Sequence, residues 1–179
     1  MRLPRTLPLL AALVLTTGQL DGAHAQTATV APPAAAAATA GIPDLRGTAI
    51  DNKPFDLAKL RGKVVLVFFW STDCAVCRDK MPELRANVQG WRSQPFEVVT
   101  VSEDRKRQDL LDYERLVNGT VPANQRFITL WAGETGYMDS FTKRPRLPET
   151  FIIDKKGQIA AHYLGRIPAE AWDKIADLL

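Results

Sequence analysis

Val64 to Trp70 (VVLVFFW), entered from Lys63, is apolar without interruption. A run of that kind, with no alternation, reads as a strand buried on both faces. Phe96 to Val101 (FEVVTV) repeats the pattern, and Phe127 to Trp131 and Phe151 to Ile153 are shorter versions of it. Gln158 to Leu164 returns from Ile153 across Asp154-Lys155-Lys156-Gly157, a hairpin turn. Elsewhere the period changes to that of a helix. Met81, Leu84, Val88 and Trp91 predict a helix from the cysteines to about Gly90–Trp91, kinked where Pro82 lies inside it. Leu110, Leu111, Tyr113 and Leu116 predict a second from Arg105 to Val117, stopped by Asn118-Gly119. Ile175, Leu178 and Leu179 mark the inward side of a third, opened by Pro168 and running to the end of the chain. Ile42 to Phe55 reads as a hairpin around Asp51-Asn52-Lys53-Pro54. Leu57, Leu60 and Gly62 suggest a helical turn, and Gly136 to Phe141 one or two more. Strands alternating with helices, then a hairpin and a closing helix, give an α/β fold: a central mixed sheet flanked by helices, with an N-terminal hairpin extension.

The first forty residues follow neither period. Arg2 and Arg5 precede the apolar stretch Leu7–Leu15, and Ala23-His24-Ala25 is a small-x-small cleavage pattern. Residues 1–25 therefore read as a signal peptide whose apolar stretch is short for a membrane span. An uncleaved N-terminal anchor is the alternative. Residues 26–40 hold an uncharged Ala/Pro stretch (TATVAPPAAAAATA), read as a linker because it has nothing with which to build a core. Residues 41–179 are left for one domain of ordinary size. The net charge of +3 in a chain of 179 residues is spread rather than blocked, which gives no indication of nucleic-acid binding.

Both cysteines of the chain, Cys74 and Cys77, fall where the long buried strand gives way to the first helix. Ser71-Thr72-Asp73 between them and Trp70 is a cluster of helix-capping residue types. A thiol at a helix N-terminus is placed where backbone N–H groups and the helix dipole favour the thiolate, the species that attacks disulfides. Zinc would need four ligands, and the further soft ligands are His162 and His24, the latter in the segment read as cleaved. Covalent haem attachment would need His where Arg78 stands. A purely structural disulfide would close a very short loop, where cross-linking gains least. A redox pair is the reading these residues favour, with no cofactor and no metal.

The arrangement Trp-x-x-x-Cys-x-x-Cys, with strands and helices in this order, resembles the thioredoxin fold. More narrowly, DLRGTAIDNKPFDLAKLRGKVVLVFFW, CAVCRDKMPEL and LPETFIIDKKGQI resemble the exported thiol–disulfide oxidoreductases of the TlpA/ResA/CcmG type, over roughly Pro43 to Leu179. The resemblance implies a periplasmic protein-disulfide reductase acting on cysteine pairs of exported proteins such as apocytochromes c or copper-site proteins. It also implies electrons drawn from a membrane thiol-transfer donor, and a cis Pro148 facing the disulfide. Three positions depart from the pattern: Phe68 where thioredoxin has a buried aspartate, Asp73 where an aromatic residue is frequent, and Lys80, beside Asp79, where an acidic residue is frequent. The proton acceptor is then left to Asp79 or Glu149, either of which also reads as a solvated surface charge.

From these residues Cys74 is expected to attack and Cys77 to resolve. Leu147, through its backbone, and Pro148 would bind an extended substrate segment, with Trp70 either lining that surface or packing in the core. Asp73 should oppose the Cys74 thiolate while Arg78 or Lys80 favours it, leaving a reducing couple near about −270 mV. Lys143-Arg144-Pro145-Arg146 is expected near the same face, steering acidic partners. Two other classes remain open: a copper(I) metallochaperone using both thiolates with Met81, and a peroxiredoxin-like peroxidase, suggested by Ser71 three residues before Cys74.

Overall fold

The computed structural model describes residues 42–141 and 144–179. The signal-peptide and linker readings, the Gly41 boundary, His24 and Lys143 lie outside the described residues. The hairpin consists of β1 (Leu45–Thr48) and β2 (Pro54–Asp56), and a 3-10 turn over Leu57–Leu60 comes after it. Then come β3 (Val64–Trp70), α1 (Ala75–Gly90), β4 (Phe96–Ser102), α2 (Arg107–Asn118) and β5 (Ile128–Trp131). β6 (Met138–Asp139), β7 (Glu149–Ile153), β8 (Ile159–Leu164) and α3 (Glu170–Leu178) complete the chain. Among the described residues no helix is long and apolar enough to cross a membrane.

The main sheet has the order β5-β4-β3-β7-β8, parallel from β5 to β3 and antiparallel from β3 to β8. β3 is central and all seven of its residues are buried, as its unbroken apolar run requires. Its pleat separates two cores. Val64, Leu66, Phe68 and Trp70 pack with Cys77, Met81 and Leu84 of α1, Leu110 of α2, and Ala171 and Ile175 of α3. Val65, Val67 and Phe69 face the other way, with Leu45, Leu57, Leu130 and Phe151. One face of the sheet is therefore helical and the other is closed by the hairpin region.

One predicted element changes type. Gly136 to Phe141, expected as helical turns, contains strand β6 instead, which pairs antiparallel with β1 to make a small sheet β2-β1-β6. The partner lies some ninety residues away, and tertiary pairing overrides a weak local preference there. α1 runs through Pro82 as one element, giving up only the backbone bond that the ring cannot donate.

Candidate active site

β3 ends at Trp70, and three residues carry the chain to Cys74, directly before α1. The expected cap cluster does not cap. Cys74 is itself the N-cap: its Sγ accepts the Cys77 N–H at 3.2 Å, and its carbonyl accepts the Arg78 N–H at 3.1 Å. The local sequence permits this because a sulfur at the cap can take the orphan N–H that a serine or aspartate oxygen usually takes. Cys74 and Cys77 form a disulfide with their Cα atoms 5.2 Å apart. Cys77 is fully buried beneath α1, while Cys74 is half-buried beside exposed Ala75 and Val76. The two sulfurs thus differ in access.

The antiparallel ladder between β3 and β7 runs to Phe69 opposite Glu149. Pro148 therefore sits one step beyond it, alongside Trp70, at the end of the sheet from which Cys74 is presented. The Leu147–Pro148 bond is cis. Pro148 is buried and its carbonyl accepts the Gly165 N–H at 2.8 Å, whereas Leu147 is half-buried. Trp70 has no exposed surface and packs edge-on against Tyr113 of α2, so it belongs to the core and not to a substrate-facing surface. Met81 is likewise core, which removes it as a soft ligand beside the cysteines.

The candidate modulators separate. Asp79 is exposed and ion-paired with Arg166. Glu149 is 1% exposed, not the solvated charge that its type suggests. The pleat puts it with Phe69 on the face away from α1, where its Oε1 lies 2.6 Å from His162 Nε2. It thus lies, with His162, on the face of the sheet opposite to the one that packs against Cys77. Lys80 is buried and turned to Glu83 at 2.7 Å, so its charge is matched there and not at Cys74. Burial would raise the Glu83 carboxyl, but hydrogen bonds from Lys80 and Trp172 outweigh it and hold the group below the usual range. Asp73 is exposed and accepts the Ser71 hydroxyl, and Arg78 donates to the Thr72 carbonyl. Arg144 is not a steering charge. It is 15% exposed on its side chain, paired with Glu103 at 2.6 Å and Asp139 at 3.1 Å, and lies 4.0 Å over the Phe69 ring. Arg146 is exposed.

Sequence reasoning missed Asp104, just beyond β4. It is 8% exposed. Its Oδ1 accepts the Thr72 N–H at 2.9 Å and the Thr72 hydroxyl at 2.7 Å, and its Oδ2 accepts the Ser102 hydroxyl at 2.6 Å. Its carbonyl accepts the Trp131 indole N–H at 2.7 Å. The signal available was a short polar pattern, Ser-x-Asp, at the exit of a buried strand. That pattern reads as an ordinary turn until the register sets Ser102 beside both Trp70 and Trp131.

A family model described as the AhpC/TSA family matches residues 39–162. The thiol-disulfide oxidoreductase ResA of Bacillus cereus is 24% identical over 123 residues, covering 69% of this chain and 67% of that protein. Protein DipZ of Mycobacterium bovis is 33% identical over 90 residues, which cover 47% of this chain and 13% of that much longer protein. Among solved structures, a thioredoxin-family thiol:disulfide interchange protein from Chlorobium tepidum superposes with a TM-score of 0.60 at 24% identity. That match covers 76% of this chain and 93% of the other, and it shows a shared thioredoxin fold.

Proposed function

The chain belongs to the AhpC/TSA family and is a thiol–disulfide oxidoreductase of the ResA/CcmG type with a Cys-x-x-Cys pair; from there we propose that it reduces cysteine pairs of exported proteins in the periplasm, with Cys74 attacking and Cys77 resolving. The observation that carries this assignment is the unequal access of the two sulfurs: Cys74 half-buried at the helix cap, Cys77 fully buried behind it.

In the reduced protein the Cys74 thiolate attacks one sulfur of a substrate disulfide. A mixed disulfide forms and one substrate thiolate leaves. Cys77 then attacks Cys74 Sγ and the second substrate sulfur leaves, the Cys77 proton passing to the thiolate released. Two electrons go to the substrate, and the protein is left with the Cys74–Cys77 disulfide. A membrane thiol-transfer donor returns two electrons and restores the dithiol. The Cys77 N–H directed at Cys74 Sγ favours sulfur carrying negative charge at each stage. The Pro148 carbonyl is engaged by Gly165, so pairing with an extended substrate segment falls to the Leu147 backbone, next to Cys74 across the Pro148 turn. Apocytochromes c and copper-site proteins are the substrate classes this family resemblance favours. Residues 1–25 act as the export signal and 26–40 as the linker to the domain that begins near residue 41.

The test expresses the full chain with Cys77→Ser in a bacterial host, with periplasmic extracts resolved without reductant. Mixed disulfides through Cys74 to exported proteins with paired cysteines are expected, and Cys74→Ser should abolish both trapping and disulfide reduction. Adducts through the other thiol in a Cys74→Ser protein, with none in Cys77→Ser, would reverse the two roles. Peroxide turnover or stoichiometric copper(I) binding with no adducts would replace the reductase reading. N-terminal sequencing of the mature protein separates cleavage after Ala25 from a retained anchor.

A further inference from the structure

Three strands of the main sheet end together at the redox pair, and one residue ties those three ends to each other. Asp104 takes both donors of Thr72 beyond β3 and the hydroxyl of Ser102 at the end of β4, and its carbonyl takes the indole of Trp131 at the end of β5. Its own N–H returns to Ser102 Oγ at 3.1 Å. Thr72 is the middle residue of the loop between Trp70 and Cys74, two residues from the sulfur.

We propose that Asp104 is the positioning residue of this loop, holding Cys74 over the N-terminus of α1 and setting the redox poise of the pair through its charge. The inference rests on the reading of Cys74 as the attacking thiol. Two physical points support it. A carboxylate withdrawn from water is tolerable only when its oxygens are hydrogen-bonded, so the three donors are part of its stability and tie it tightly to the loop. Every one of those donors is neutral, so they satisfy the oxygens without cancelling the charge. The remaining charges at this end of the sheet are largely matched: Asp79 by Arg166, Lys80 by Glu83, and Arg144 by Glu103 and Asp139. Arg78 is engaged by the Thr72 carbonyl, while Asp73, Arg146 and the two cations that follow Asp104, Arg105 and Lys106, stand in solvent, where their fields are screened. Asp104, being buried, is screened least. A fixed negative charge near a thiol opposes its ionisation. A less stabilised thiolate makes the reduced form less favoured and the couple more reducing.

The full chain carrying Asp104→Asn separates the charge from the contacts. Asparagine Oδ1 still accepts both Thr72 donors, and Ser102 can reverse its hydroxyl to accept from Nδ2. Thr72→Val does the opposite, keeping the charge and removing one donor. Each reduced variant is alkylated with iodoacetamide at fixed mildly acidic pH, the modified cysteine is identified by peptide mass, and the couple is titrated against glutathione. Asp104→Asn should speed Cys74 alkylation by about threefold to tenfold. It should also move the equilibrium about tenfold toward the dithiol, equivalent to about 30 mV. Thr72→Val should lower disulfide turnover several-fold without speeding alkylation. Cys74 alkylation and a glutathione equilibrium both unchanged in Asp104→Asn overturn the inference, even if the melting temperature falls, since a merely structural residue would move only the latter. First labelling at Cys77 instead overturns the nucleophile assignment, and this inference with it. Should Asp104→Asn fail to fold, wild-type turnover in Thr72→Val overturns the positioning role by itself.

Discussion

Arg144→Met should be among the most damaging single substitutions outside the hydrophobic cores. Arg144 is almost buried and serves three elements at once: Glu103 beyond β4, Asp139 of β6 and the Phe69 ring of β3. Methionine keeps much of the stem's packing but leaves two carboxylates facing one another without their cation, Asp139 at 10% side-chain exposure and Glu103 at 28%. Removing one partner of a buried pair costs about 3–5 kcal/mol. The half-open position of Glu103 argues for less than that, about 2 kcal/mol, because water can reach that carboxylate. Loss of the contact with Phe69 adds about 1 kcal/mol. A total of about 3 kcal/mol is a large part of the roughly 5–15 kcal/mol by which domains are typically stable. With a urea slope of about 2 kcal/mol/M, it moves the midpoint down by about 1.5 M. Urea unfolding of the oxidised protein at neutral pH, followed by tryptophan fluorescence, reads this directly. Arg144→Lys keeps a charge but loses the planar fork and the stacking, and should lie between the two. A cycle with Asp139→Asn should show coupling above about 1 kcal/mol. A midpoint for Arg144→Met within about 0.3 M of wild type would mean that water already separates these charges, and the reasoning would be wrong.

Glu114→Gln should stabilise the protein at neutral pH. Burial raises the Glu114 carboxyl, although Arg85, Thr129 and Arg126 pull it partly back, so the folded state disfavours the ionised form relative to the unfolded chain. The gain should shrink as pH falls through the raised value and vanish below the ordinary carboxylate range; a gain independent of pH would assign it to packing instead. Gly133→Ala would set a Cβ hard against Cζ2 of the Trp131 ring, which the Asp104 carbonyl holds in place. A loss of about 1–3 kcal/mol in chemical denaturation, with slower disulfide turnover, is the expected result. For the redox couple itself, a glutathione titration should place it nearer to about −270 mV than to about −120 mV. An oxidising value would show that the helix N-terminus outweighs Asp73 and Asp104, and would move the protein toward dithiol oxidation.

The cysteine pair, the buried strand that delivers it and the Leu-Pro-Glu-Thr segment were legible in the amino-acid sequence because each is a local pattern. An unbroken apolar run of that length fits an interior strand, and a Cys-x-x-Cys directly after it opens the next helix. The α/β order came from the alternation of periods. What local pattern could not supply was the side of the sheet on which a residue falls and the partner it meets there. Glu149 read as a charged surface position and Lys80 as a charge favouring the Cys74 thiolate. The pleat of β7 buries the first against His162, and the turn of α1 buries the second against Glu83. Trp70 was equally readable as surface or core, and the packing of α2 over the sheet decided it. β6 exists only because β1 offers it a partner. Asp104 became important only when β3, β4 and β5 were laid side by side, since its bonds reach 32 residues back to Thr72 and 27 forward to Trp131. Sequence determines period and punctuation over a few residues; the pairing of distant strands determines which polar groups are buried together, and the environment of the reactive sulfur is built from those.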